Sequence, residues 1–405
     1  SYIPELVEHH YEELQFLWGQ RESALRSPKY TMRELSALEQ RIDAHVQGLL
    51  VAGVDLIHIV EQGLTSDDAA TSFAAAYALL RLENETATLA VIQAFSGAQG
   101  KQMYGLRQAL SLARMEQLLP SLPFLFFSSA TPTVAAAADV LACHGALPPP
   151  GLTIDTLLQD EDPGVRETAW RVVANSGLSV DPKLYAAAMR DEAPAVRRAG
   201  LVAAAWTSVP GALLLARQLA ETPTLDNLYA LELLAILGET EDVQRVIALA
   251  KVKELGPARF KLVGAFGHPA LIELVLAELT NSDPEAAVAA AAAFTKMTGL
   301  DIESKERTAL PPKSGEQSDE FEAEFAEEVT LPNPELARAH WDKVKPQFVR
   351  TTRLCRGMDI SRGAPPEALA KLDMESRWEL FLRSKFNRTW AGAPADLERF
   401  PQPQS

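Results

Sequence analysis

Aromatic residues make up only 7% of this 405-residue chain, and cysteine occurs twice, at Cys143 and Cys355. Two cysteines in distant segments cannot build a secreted disulfide framework, so a reducing cytoplasm is the expected compartment. Apolar runs are short as well. Leu118 to Phe127, among the longest, is broken by Pro120 and Pro123, far from the roughly 20 residues that span a bilayer. The start, Ser1-Tyr2-Ile3-Pro4-Glu5, has neither the basic nor the apolar region of a signal peptide, so none is expected. Base is scarce: 38 Lys and Arg face 54 Asp and Glu, for a formal net charge of −16. That balance argues against a general binder of nucleic acid or anionic membrane.

What is present is enough apolar surface for a packed core. Hydrophobic residues reach 47%, and alanine does much of the filling, which points to closely approaching helices rather than sheets of β-branched residues. At about 150 residues per domain, the length allows two or three domains or one extended repeat array.

Periodicity favours the array. Asp162-Pro163-Gly164-Val165-Arg166 opens a helical pattern in which Val165, Ala169, Val172 and Val173 share one face before Gly177. The acid can cap free N–H groups, Pro fits the first turn, and Gly supplies a stop. The phrase recurs as Ala193-Pro194-Ala195-Val196-Arg197 and as Thr131-Pro132-Thr133-Val134, so Pro132, Pro163 and Pro194 are equally spaced. Weaker copies begin at Ser66-Asp67-Asp68, near Lys101, near Leu225, at Gly256-Pro257 and at Ser282-Asp283-Pro284. Second amphipathic stretches lie between them. A period near 31 built from two short helices is a helical solenoid unit.

At these residues the chain resembles the HEAT-like repeat, the short form first noticed in phycobilisome lyases, over roughly residues 66 to 300. The resemblance implies an all-α fold, an α/α superhelix, in which Asp162, Arg166 and Arg197 stitch neighbouring repeats rather than catalyse. The expected organisation is a helical hairpin cap over 1–62, a repeat solenoid over 63–300, an acidic linker over 301–334, and a helical or irregular C-terminal region over 335–405. In the cap, Ser27-Pro28 separates two helices and Thr31 to Glu34 reads as a capping box. In the linker, Glu316 to Glu328 holds seven acids and no base, the pattern of a solvated strap.

After Pro334 the sign reverses. Residues 335–405 hold 13 Lys or Arg against nine acids, densest over Lys343, Lys345, Arg350, Arg353, Arg356 and Arg362, with Trp341 and Phe348 interleaved. Basic plus aromatic is a nucleic-acid pattern, but pairing with the acidic run, or with an acidic protein, is the favoured reading in so acidic a chain. Trp170 and Trp206 are expected to pack between repeats, and Trp341, Trp378 and Trp390 to anchor the C-terminal region.

Candidates for chemistry are sparse. His9-His10 with Glu12 and Glu13 is the nearest approach to a metal site, and adjacent histidines point to different helix faces. Cys143-His144 cannot pair as sequence neighbours on a helix, so a buried structural Cys is preferred. No nucleophile elbow, phosphate loop or dinucleotide fingerprint occurs. The expectation is a non-enzyme with no metal and no cofactor.

Read as a whole, the chain is similar to an uncharacterised proteobacterial family. The similarity rests on Ile3-Pro4-Glu5-Leu6-Val7-Glu8-His9, on Phe16-Leu17-Trp18, and on Leu35, Leu38-Glu39, Arg41-Ile42-Asp43-Ala44-His45-Val46 and Gly48-Leu49. Further on come Leu331-Pro332, Trp341 and Arg353-Leu354-Cys355-Arg356-Gly357. Members are often encoded beside type VI secretion components and their toxic effectors. That implies an accessory role: an adaptor or chaperone for an effector or, alternatively, an immunity protein that neutralises a toxin. A solenoid enzyme of the lyase or DNA-glycosylase kind is a third reading. The acidic linker departs from the family pattern.

A protein partner would meet the second helices of the repeats, which line the concave face in such arrays. Their outward positions are Tyr185, Arg190, Arg217, Gln218, Gln244, Arg245 and Lys251. These residues are expected to be free of packing duty, so that reversing Arg217 and Arg245 weakens capture without touching stability.

Overall fold

The computed structural model of the chain describes residues 2–128, 130–146, 152–310, 328–363 and 369–390. Helices dominate and the fold is all-α, accompanied among the described residues by two two-stranded ribbons. No single helix among the described residues is long and apolar enough to cross a membrane. The chain packs as two compact units, Ser1–Val209 with Asp373–Ser405, and Pro210–Leu372.

In the first unit, helices Pro4–Ala24 and Met32–Leu50 form the hairpin expected from sequence. Its second helix starts with the full capping box: the Arg33 N–H donates to the Thr31 hydroxyl, and the Thr31 N–H to Glu34 Oε2. Five helices follow in a row, Ala69–Leu80, Gly100–Leu112, Thr131–Cys143, Pro163–Ser176 and Pro194–Trp206, and each packs on the next. Their starts, at Ala69, Gly100, Thr131, Pro163 and Pro194, keep the even spacing of the repeat phrase. The acids of that phrase behave as caps: Asp68 accepts from the Thr71 N–H and Asp162 from the Gly164 N–H. At the other end, Gly177 takes φ 65°, a left-handed turn that glycine adopts without a Cβ clash.

Inner helices of such a row are covered on several sides, and alanine makes that feasible. Ala74, Ala75, Ala76 and Ala78 are fully buried, as are Ala135, Ala137 and Ala138. Small side chains let backbones approach, while each buried Leu, Val or Phe among them contributes about 1.5–3 kcal/mol. The unit is completed from the far end of the chain. Helix Met374–Phe386 begins where the Met374 N–H donates to the Tyr30 carbonyl, and it packs on Pro194–Trp206.

In the second unit, helices Leu228–Leu237, Ala258–Phe266 and Pro284–Thr298 pack in order. The segment expected as a linker enters structure at both ends. Glu303–Ala309 pairs antiparallel with Glu328–Pro332, Arg307 opposite Thr330, and the second strand packs on Pro284–Thr298. A strand reading Glu-Ser-Lys-Glu-Arg-Thr-Ala has no apolar alternation, so its sequence gives no strand signal. The acidic run itself lies outside the described residues apart from Glu328, as do residues 391–405 of the C-terminal region.

Candidate partner-binding surfaces

The charges of the repeat phrase are committed to the fold. Arg166 forms a two-pronged pair with Asp191, Nε to Oδ2 and Nη2 to Oδ1, both at 2.8 Å. It also donates to the carbonyls of Asp160 and Glu161. Arg197 repeats the second habit with the carbonyls of Asp191 and Glu192. Thus the stitching acid is Asp191 of the next phrase, whereas Asp162 is spent as a cap. The hydrogen bonds from Arg166 hold the Asp191 carboxyl below its ordinary range. A buried ladder runs beside these stitches: Asp139, fully buried, is paired with Arg107 on one neighbouring helix and with Arg171 on the other. Each step of the ladder is 32 residues, a charged register the sequence reading missed because the phrase does not contain it.

The seven residues expected to face a partner divide between the units, and three have packing or pairing duties. Tyr185 is buried, its ring 4.8 Å from that of Trp170 and its hydroxyl 2.9 Å from the Thr207 hydroxyl. Burial pushes its phenol up. Arg217 and Arg245 converge on Asp242, which is 0% exposed. Arg217 donates through Nε and Nη2 at 2.9 and 2.7 Å, Arg245 through Nη1 at 2.9 Å, and the Glu239 N–H completes the set. Burial alone would raise the Asp242 carboxyl, but Arg217 and the Glu239 N–H outweigh it and hold the group low. The expectation that reversing both arginines would spare stability is therefore corrected: it would leave a buried carboxylate among like charges. Arg190, Gln218, Gln244 and Lys251 are exposed.

The basic C-terminal stretch is also drawn inward. Arg353 is 6% exposed and donates to three carbonyls, Ala235, Ala265 and Gly238, at the ends of two helices, with its guanidinium 5.2 Å from the Phe266 ring centre. Leu354–Cys355 and Met358–Asp359 form a tight hairpin. Its turn residues Arg356 and Gly357 both have positive φ, as a type I′ turn requires. N–H groups of the hairpin donate to the carbonyls of Gly267, Lys296 and Met297. Here the Arg-Leu-Cys-Arg-Gly phrase is a clasp for helix C-termini. Arg338 and Lys345 pair with Glu273; Lys343, Arg350 and Arg362 are exposed.

Two clefts flank the C-terminal half of helix Pro4–Ala24. One, of about 290 Å³, is lined by Trp18, Arg21, Glu22, Arg26, Tyr104 and Gln108, among others. The other, of about 470 Å³, is lined by Phe16, Gly19, Gln20 and Tyr30, among others, and Ser23 borders both. Phe16 is 60% exposed. Arg21 lies in the wall at 1% exposure, paired with Glu39, and the Tyr104 hydroxyl holds Glu22 at 2.5 Å. Burial disfavours charge on both members of the Arg21–Glu39 pair, lowering one and raising the other despite their attraction. The sequence does carry a signal for this corner: residues 21–33 hold Arg21, Arg26, Lys29 and Arg33 against the single acid Glu22.

The imidazoles of His10 and His45 meet across the hairpin with Nδ1 atoms 3.1 Å apart, so one ring donates and the other accepts. Burial, then the neighbouring His10, lowers His45. Cys143 is buried at the end of its helix, and His144 turns its Nε2 to the Leu110 carbonyl. Among the described residues, no three His, Cys, Asp or Glu side chains converge as metal ligands would. No protein-family model matches the chain, and a search of curated proteins finds no match either.

Proposed function

We propose that the chain is a HEAT-like helical-repeat scaffold that works by binding another protein, without catalysis, as an adaptor or chaperone for a type VI secretion effector. The observation that carries the repeat reading is the row of five evenly spaced helices, each packed on the next and tied by charged pairs at matching registers. An array of this kind presents an extended surface suited to binding another protein. The effector assignment is supported by the resemblance of the N-terminal block. A net charge of −16 favours immunity against a basic toxin as the second reading, since opposite charge speeds encounter and selects partners.

Gene deletion followed by competition separates the two. Loss of an adaptor stops delivery of one effector and leaves the mutant unharmed by its kin. Loss of an immunity protein lets neighbouring wild-type cells kill the mutant. A deletion that changes neither delivery nor survival rejects both roles.

A further inference from the structure

The corner around the first helix–helix turn differs from the rest of the molecule. Residues 21–33 carry a local charge of opposite sign to the chain's −16, and two clefts open beside them. Aromatic side chains line both: Trp18 and Tyr104 in one, Phe16 and Tyr30 in the other. Arg26 is exposed at the rim of the polar cleft, and Arg21 backs it from the wall. In the apolar cleft, Gly19 sits in mid-helix with ordinary helical backbone and open space where a Cβ would be. Glycine there weakens the helix by roughly 1 kcal/mol relative to Ala, and its effect is to deepen the floor beside Phe16. An exposed Phe at 60% beside such a floor is an apolar surface that water solvates poorly.

We propose that these two clefts together form a binding site for an acidic peptide segment bearing a large apolar side chain. The apolar group lies over Phe16 and Gly19, and an adjacent carboxylate reaches Arg26 across Ser23. The inference rests on the protein-scaffold reading and names the chemistry of the partner. Charge complementarity selects the occupant: a basic corner on an acidic protein attracts acid locally while the remaining surface repels non-specific polyanions. Glu22, held by the Tyr104 hydroxyl, sets a limit on how much negative charge the polar cleft accepts. One or two carboxylates flanking an apolar anchor match it better than a continuous phosphate backbone.

The test uses the full chain and a fluorescent synthetic peptide, acetyl-Asp-Leu-Asp-Ser-Asp-Leu-amide, with a counterpart carrying Lys for each Asp. Anisotropy titration should give saturable binding of the acidic peptide below about 100 µM, and none of the basic one. Arg26→Glu and Phe16→Ala should each weaken binding about tenfold, because an exposed anchor and a rim charge act without supporting the core. Gly19→Leu is the sharper variant. It fills the floor and improves the helix, so the protein should melt no lower than wild type while binding is lost. Arg362→Glu, an exposed change in the second unit, should leave binding unchanged. No binding to wild type, equal binding of the Lys peptide, or full binding by Gly19→Leu each overturns the site. So does displacement of the peptide by an equal concentration of a twelve-nucleotide single strand. If the cleft variants fail to bind peptide yet still capture an effector in cells, the scaffold reading stands and this site is not its effector surface. If wild type binds peptide and no effector, the reverse holds.

Discussion

The two units solve one problem differently. Each must tie successive helices in a fixed order, and the first does so with side-chain ion pairs between neighbouring helices: Arg107–Asp139–Arg171 and Arg166–Asp191. The second uses such pairs too, at Asp242 with Arg217 and Arg245, at Lys261–Glu232 and at Arg259–Glu278. It adds a clasp in which Arg353 and a two-residue hairpin bond directly to helix carbonyls. An ion pair can be replaced wherever both members change together. A clasp on backbone groups has no such freedom, because helix ends always leave carbonyls without internal partners. Removal of the clasp should therefore cost more than removal of a stitch.

Arg353→Ala strands three carbonyls in a buried setting, and we expect a loss of about 4 kcal/mol. Arg166→Ala, at a more exposed pair, should cost about 1 kcal/mol. Thermal melts of the two variants read the contrast, and equal losses would erase the distinction drawn between the units. Next in size is the pair Arg217→Glu with Arg245→Glu, expected to cost about 3 kcal/mol by leaving Asp242 buried among acids. The same centre sets an acid limit. A carboxyl held below its ordinary 3.8 stabilises the fold above that value, and the stability is lost as pH falls through the folded value. Asp242→Asn should flatten that part of an acid titration.

Thr31→Ala removes one half of the capping box and should cost about 1 kcal/mol, read by chemical denaturation. The smallest effect is in the His10–His45 contact. His45 is lowered from 6.5 in the fold, so the unfolded state holds more protons just below that pH and stability declines as pH falls through it. The drop in Tm between pH 7.5 and 5.5 should shrink by about 1 °C in His45→Gln. A drop of unchanged size would assign the pH dependence to other groups.

Much of the helical order was legible because local chemistry wrote it. Asp162-Pro163 caps and starts a helix, Gly177 stops it, and Thr31 to Glu34 forms its box, all within one turn of chain. The surfaces were less legible. Tyr185 sits at an outward-looking register yet turns in to meet Trp170 on an earlier helix and Thr207 beyond a later one. Arg217 and Asp242 are 25 residues apart, so nothing in either neighbourhood announces the pair. Arg353 reads as one base among several, and its role depends on carbonyls in two helices that precede it by 88 to 118 residues. The cleft beside Trp18 needed the fold, since Tyr104 and Gln108 join it from another helix.

The path of the chain also has a consequence for its synthesis. The polypeptide leaves the first unit at Val209 and re-enters it at Asp373. At 5–20 residues per second, the intervening stretch takes on the order of ten seconds to emerge. The helices at 228, 258 and 284 meet near neighbours in sequence, and local contacts form fast. Helix Met374–Phe386, by contrast, must find the carbonyl of Tyr30, more than 340 residues earlier in the chain. The inserted unit can thus complete its packing before the first unit does, although it is made second. A nascent chain stopped short of Asp373 keeps the face of Pro194–Trp206 uncovered, a natural substrate for holdase chaperones until translation resumes.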